Sequence, residues 1–396
     1  MGSVSAAGIG VERLWNAART GQSGVGIAHL PRAGSNRVNL AAQVKDFEPE
    51  AFIERKLLPY CDRFAQLAIV AADEAMAQAG IGRDHRLGER TGVILGTAVG
   101  GITTIDDLCY TDLVLKARTD PLSVPRIMGS SAPSHIGMRY GCTGPTYAVT
   151  SACASASQAI GMGCFLIRSG LIDRAIVGGS DSSITALNIR AWETLRVLTP
   201  DCPRPFSIGR NGMVLGEGAG IFVLESEATA FARGATVLAE MAGFGTTSDA
   251  FDIVRPDVEG AANAMRIAIA DAGLVPEQID YVNAHGTGTV ANDNVEAKAL
   301  RSVFGPRLRE LAISSTKPIH GHTLGAAGAI ELAITIMAMR EGIVPPTINW
   351  LGPDPNIGSD FDPVPNEARR RPIGAAMSNS FAFGGINSCL IVVPAP

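Results

Sequence analysis

The chain has 396 residues, 46% of them hydrophobic and 18% charged, with a formal net charge of −5. That balance describes a globular protein with a large interior, long enough for two packed halves. The mild acidity, with no basic stripe and no basic-aromatic interleaving, excludes a nucleic-acid binder.

Seven cysteines stand at positions 61, 109, 142, 153, 164, 202 and 389, with no Cys-x-x-Cys pair. An odd, scattered set argues against a disulfide framework or a zinc knuckle, and predicts a reducing cytoplasm. The opening "MGSVSAAGIGVERLW" lacks the basic and apolar regions of a signal peptide. It also misses the myristoylation pattern, with Ala6 where Ser or Thr is needed. The longest apolar run, "AAGAIELAITIMAM", is too short for a bilayer and contains Glu331, so it reads as a core helix and no membrane association is expected.

Taken in chain order, "DRFAQLAIVAADEAMAQAG" at 62–80 predicts a helix ending in Ala-Gly. Strand-like runs follow at "TGVILGT", "TYAVTS", "RAIVGGS", "AGIFVLES" and "VLAEMAGFG". A second helix with an Ala-Gly end is predicted from "VEGAANAMRIAIADAG", and further strands from "DYVNAHG", "LAISST" and "SCLIVV". Strands alternating with helices predict an α/β protein with mostly parallel sheets.

The chain also resembles itself. "YAVTSAC" runs into the small-residue segment "ASASQAIGMGCFLIRSG"; "LAISSTKPIHGH" runs into "TLGAAGAIELAITIMAMREG". Each unit is a strand, a reactive residue (Cys153 or His322), then an Ala/Gly-rich helix ending in Arg-x-Gly. This predicts an internal duplication with its seam near 228–236, giving halves at 1–232 and 233–396.

Cys153 falls where a strand becomes a helix. A helix N-terminus offers free N–H groups and partial positive charge, which favour a thiolate and an oxyanion. A lone cysteine is more often a small buried hydrophobe, so the partners matter. His285 closes a strand before Gly-Thr-Gly-Thr, and Lys317, His320 and His322 precede a helix. His29, His85 and His135 have no such setting and read as structural or surface.

These segments resemble the β-ketoacyl-[acyl-carrier-protein] synthases of the thiolase-like superfamily, over nearly the whole chain. "TSACASA", "RNGMVLGEGAG", "NAHGTGT", "STKPIHGHTLGAAGAIE", "PPTIN" and "SNSFAFGGIN" occur in the family's order. The likeness is to the elongating type with a Cys-His-His triad. It implies a five-layered αβαβα thiolase fold of two duplicated halves, a homodimer, an acyl carrier protein with a phosphopantetheine arm as partner, and no cofactor. Cys153 would carry the acyl chain as a thioester. His285 and His322 would bind the malonyl thioester and assist loss of carbon dioxide, with Lys317 and Glu331 as a buried charge pair behind them. The backbone N–H groups of Cys153 and Phe383 would form an oxyanion hole. Thr287, Thr289, Val99 and Phe381, with Phe383, would contact the substrate.

The sequence departs from the family in several places. The family begins with a strand before the segment matched by "MGSVS", so here that strand is absent or the start is displaced; a missing strand would expose a sheet edge. Ala382 replaces a Gly of the gating loop, Val99 stands where relatives often carry Ile, and His320 replaces a small polar residue. The carrier-facing basic patch keeps Arg55 and Lys56, but Pro59 and Tyr60 follow where relatives add charge. These features point to a specialised synthase, of nodulation or secondary-metabolite type.

Two other chemistries share parts of the pattern. His320 and His322, at i and i+2 on a strand, could join His285 as a three-His metal site of a hydrolase. A coenzyme A thiolase would need a second catalytic cysteine, for which only Cys389 is near the C-terminus. Nucleotide binding is not expected: "GTAVGGIT" lacks the Lys-Ser/Thr of a phosphate loop.

Overall fold

The computed structural model describes residues 1–30, 32, 34, 36–358 and 360–395. Two sheets carry the architecture. The first has six strands in the order Gly8–Ile9, Gly2–Ser5, Gly218–Glu225, Arg174–Asp181, Thr91–Gly96 and Thr146–Val149. The second has five, in the order Ala312–Ser314, Tyr281–Asn283, Ala376–Ala382, Ile386–Val393 and Glu240–Ser248. Read inward from Thr146–Val149 or from Ala312–Ser314, both sheets run parallel, parallel, antiparallel, antiparallel. The same five-strand pattern thus occurs twice.

Helices Ser155–Arg168 and Ala327–Glu341 lie between the sheets. Their composition follows from that position. Residues 327–339 are buried all round, as expected of a helix with no solvent face. At Gly328 an added Cβ would stand 2.1 Å from Ser157 Oγ, and at Gly161 it would meet the Phe244 ring at 2.4 Å. Small residues allow helices and sheets to approach this closely.

The outer faces are covered by helices of ordinary amphipathic kind. Arg63–Gln78 packs on the first sheet, its N-terminus capped by Asp62, which accepts from Phe64 N–H. Val258–Asp271 packs on the second, capped by Asp257, which accepts from the N–H groups of Glu259 and Gly260. Their predicted stops hold: Gly80 and Gly273 both adopt positive φ, 71° and 64°. The result is an αβαβα sandwich. No helix among the described residues is long and apolar enough to cross a membrane.

The "MGSVS" segment itself supplies a short strand. Gly2–Ser5 pairs antiparallel with the strand Gly218–Glu225, Gly2 opposite Ile221 and Val4 opposite Ala219. Gly2 lies against the helix behind it, where a Cβ would be 2.1 Å from Ala71 O. The Met1 ammonium donates to Gln78 Oε1 at 2.8 Å and anchors the start. "GSVS" carries no β-rich run, so only its sheet neighbours make it a strand.

Candidate active site

The first reactive element follows the strand Thr146–Val149. The chain enters a turn in which Ala152 adopts φ 48°, a left-handed conformation unfavourable for a residue with a Cβ. Cys153 sits in the short 3₁₀ turn Ala152–Ala154 that opens the helix Ser155–Arg168. Ser155 Oγ braces the turn: it accepts from Ser151 N–H at 2.9 Å and donates to Ala152 O at 2.7 Å.

The duplicated unit repeats this geometry with a different residue. Leu324 adopts φ 47° in the turn Leu324–Ala326 before the helix at Ala327. Gly325 therefore holds the place that Cys153 holds in the first half, and His322 lies three residues earlier. A Cβ at Gly325 would stand 2.3 Å from Ala98 N and 2.4 Å from Asp181 Oδ2. The Asp181 carboxylate uses that close approach. It accepts from Thr97 Oγ1 at 2.8 Å, Ala98 N–H at 2.8 Å and Gly325 N–H at 2.6 Å, joining the two halves beside the site.

Three clamps bring the histidines to the sulfur. His322 N–H donates to Val214 O at 2.7 Å, and Gly216 N–H donates to His322 O at 2.9 Å. Its Nε2 lies 3.0 Å from Cys153 Sγ. His285 follows the strand Tyr281–Asn283, where Glu296 accepts from His285 N–H at 2.8 Å and Gly286 N–H at 2.7 Å. The two imidazoles meet edge to face, with ring centroids 5.4 Å apart.

Cys153, His285 and His322 line one cavity of about 110 Å³, together with Thr287, Thr289, Phe381 and Phe383. The threonine hydroxyls are 2.9 Å apart. Trp192 also lines it and stacks on Phe383 at 5.7 Å between centroids. The Phe383 loop is tied on its other side by Gly384 N–H donating to Ile253 O at 2.8 Å. Ala382 closes the strand Ala376–Ala382 opposite Ile386, so its methyl group stands in extended backbone. A larger hollow of about 440 Å³ by Asp73, Arg83 and Tyr140 contains none of these groups.

Lys317 and Glu331 do not line the cavity. They form a pair behind it, Lys317 Nζ to Glu331 Oε1 at 2.5 Å, both side chains sealed from solvent. Val99 is also outside the lining. It flanks the Thr97–Ala98 segment, its N–H 3.5 Å from Asp181 Oδ1.

His320 corrects the metal-site expectation. Lys317–His320 is a short helix rather than a strand, so residues 320 and 322 do not share a face. His320 Nε2 lies 3.1 Å from Thr316 Oγ1, away from the cavity wall. Among the described residues no group of His, Cys, Asp and Glu is arranged to hold a metal ion. Cys389 is buried in the core cluster of the second half and does not line the cavity, so it does not serve as the second thiol of a thiolase.

The electrostatics differ from the helix-terminus argument. Burial pushes the Cys153 thiol up to about 12, opposed chiefly by the Lys317 charge. Burial, then Lys317, holds His285 and His322 well below the ordinary histidine value. Burial thus favours a neutral thiol beside two neutral imidazoles. Burial is the largest influence on all three groups.

Sequence reasoning missed Trp192, Asp181 and Glu296. Asp181 was detectable, since a carboxylate ending the apolar run "RAIVGGS" must find partners. Glu296 had a weaker signal, sharing a helix face with Leu300. Trp192 had none.

Comparison with known proteins places the chain. Residues 1–230 match the model for the N-terminal domain of β-ketoacyl synthase and residues 238–350 that for its C-terminal domain. Nodulation protein E of Rhizobium sp. (strain N33) is 45% identical over 392 residues, 98% of this chain and 96% of that protein. 3-Oxoacyl-[acyl-carrier-protein] synthase 2 of Staphylococcus aureus (strain COL) is 38% identical over 400 residues, 99% of this chain and 96% of that one. Among solved structures, the ishigamide ketosynthase/chain length factor superposes with a TM-score of 0.95 at 36% identity, covering 100% of this chain and 98% of that one. With the duplicated sandwich and the Cys-His-His cavity, these matches show that the chain belongs to the β-ketoacyl synthase family of condensing acyltransferases.

Proposed function

We propose that the cavity performs the decarboxylating Claisen condensation of an acyl group on Cys153 with a malonyl group on acyl carrier protein. The carrying observation is the 3.0 Å contact between Cys153 Sγ and His322 Nε2, with His285 edge-on to the same imidazole.

In the first half-reaction Cys153 gives up its proton to water and Sγ attacks the acyl thioester carbonyl, while neutral His322 keeps its Nε2–H beside the sulfur. The oxyanion rests on the backbone N–H groups of Cys153 and Phe383, the carrier thiol leaves with a proton, and acyl-Cys153 remains. In the second, neutral His285 and His322 donate N–H to the malonyl thioester oxygen. The C–C bond to the carboxylate breaks, carbon dioxide leaves, and its electron pair becomes the enolate. The enolate carbon attacks acyl-Cys153, forming the new C–C bond and expelling the Cys153 sulfur, which takes up one proton from solvent. The products are 3-oxoacyl carrier, carbon dioxide and free Cys153. Neutral imidazoles suit this role, since each offers an N–H donor without needing a proton from solution.

Thr287 and Thr289 face the cavity where the pantetheine arm would lie, and Phe381 packs 6.0 Å from His285 between ring centroids. Val99 is assigned to the acyl-chain side. The halves 1–232 and 233–396 follow the two sheets. A homodimer is adopted from the resemblance. Similarity to nodulation protein E supports a specialised acyl pathway, and a nucleophilic thiol that must stay reduced supports the cytoplasm.

The test is mass spectrometry of the protein incubated with acyl and malonyl carriers. Cys153→Ala loses acyl transfer, and Cys153→Gln retains only decarboxylation. Elongation by either variant refutes the assignment.

A further inference from the structure

His320 has no part in the scheme above, yet it is fully buried beside the charge pair. It ends the helix Lys317–His320, and its ring folds back on the preceding turn, Nε2 lying 3.1 Å from Thr316 Oγ1. The same nitrogen is 4.0 Å from Glu331 Oε1, the oxygen that Lys317 Nζ holds at 2.5 Å. Glu331 Oε2 is without a hydrogen-bond partner, and the His320 ring also meets the Gly321 backbone. An imidazole, an ammonium and a carboxylate therefore share one sealed space behind His322.

A neutral imidazole has a proton on one nitrogen only. With the proton on Nε2 the ring turns a positive edge toward Thr316 and Glu331 Oε1. With the proton on Nδ1 it would turn a lone pair toward a carboxylate 4.0 Å away, in a medium that screens poorly. We propose that His320 is a positioning residue for the condensation: its Nε2–H faces Thr316 and the Glu331 carboxylate, and so holds the Lys317–Glu331 pair in place behind His322. This rests on the function proposed above.

The surroundings make the pair sensitive to that edge. Around it stand Lys317 from the same turn, Glu296 from the helix Val290–Phe304, Tyr281 from the second sheet, and Cys153 and His322 from the cavity. Burial raises the Glu331 carboxyl to about 7, against the pull of Lys317, while Glu296 adds to the rise. Burial keeps His320 neutral, its value lowered to about 3. Removing a nearby N–H donor raises Glu331 further, so it takes up a proton at a higher pH. The Lys317 charge then loses its counterion beside the reacting groups.

The experiment compares His320→Ala and His320→Gln with the unchanged protein in malonyl-carrier decarboxylation from pH 5.5 to 9. Gln keeps a neutral N–H donor and cannot titrate. The expected result is an acid limb of kcat moved upward in His320→Ala by about one pH unit, a loss of about tenfold near pH 6, with little change at pH 9. His320→Gln restores the profile. A His320→Ala curve lowered equally at every pH, or superposed on the original, overturns the proposal. Should His320→Ala fail to fold, ¹⁵N NMR of the unchanged protein decides: the Nε2–H tautomer at His320 supports the proposal and Nδ1–H overturns it. The tautomer is read without turnover, so an inactive protein would defeat the function proposal and leave this result legible.

Discussion

His322 Nε2 stands 3.0 Å from Cys153 Sγ across 169 residues of chain. His322 is not placed by its own half alone. His322 is clamped by backbone bonds to Val214 and Gly216 of the first half. The turn holding Gly325, three residues on, is drawn against Ala98 by Asp181. The contact therefore depends on both sheets being docked.

If the two imidazoles are the donors to the malonyl thioester oxygen, either His285→Ala or His322→Ala should lower decarboxylation roughly 100- to 1,000-fold. Carbon dioxide release from radiolabelled malonyl carrier measures it. A variant within threefold of the original would remove that histidine from the oxyanion role.

The buried thiol has a pH signature. Its value is raised to about 12, so the protonated form is favoured and the thiolate stays a minor form that grows steadily across the neutral and mildly alkaline range. Alkylation of Cys153 by iodoacetamide, followed by peptide mass spectrometry, should rise about tenfold per unit from pH 7 to 9 with no plateau. A plateau below pH 8 would mean a preformed thiolate and restore the dominance of the helix N-terminus.

Val99 stands next to the Thr97–Ala98 segment that Asp181 fixes. Val99→Trp should bar long acyl chains from Cys153 and spare short ones. Loading with acyl carriers of graded length, read by intact mass, tests this; an unchanged length profile would separate Val99 from the chain pocket.

The Lys317–Glu331 pair is sealed from water, so removing one partner leaves a buried group without compensation. Lys317→Ala should cost about 3–5 kcal/mol of folding stability. The double change Lys317→Met with Glu331→Leu should recover much of that loss while leaving activity impaired. Urea unfolding of the three proteins provides the comparison, and a neutral Lys317→Ala would contradict the burial.

Local pattern alone carried the alternating strands and helices, the helix stops at Gly80 and Gly273, and Cys153 at a strand-to-helix junction. These features are periodic or are fixed by a few neighbouring residues, so they are legible along one dimension. The repeat was legible too, though aligning Cys153 with His322 misses that Gly325 is the matching residue. The strand Gly2–Ser5 was not legible, because its conformation is imposed by Gly218–Glu225 and by the helix that Gly2 touches. Nor was the neutral state of the site. The sequence places Cys153 at a helix start, which alone would lower its pKa. The tertiary structure encloses it, and desolvation depends on everything packed around a group rather than on the residues beside it in the chain.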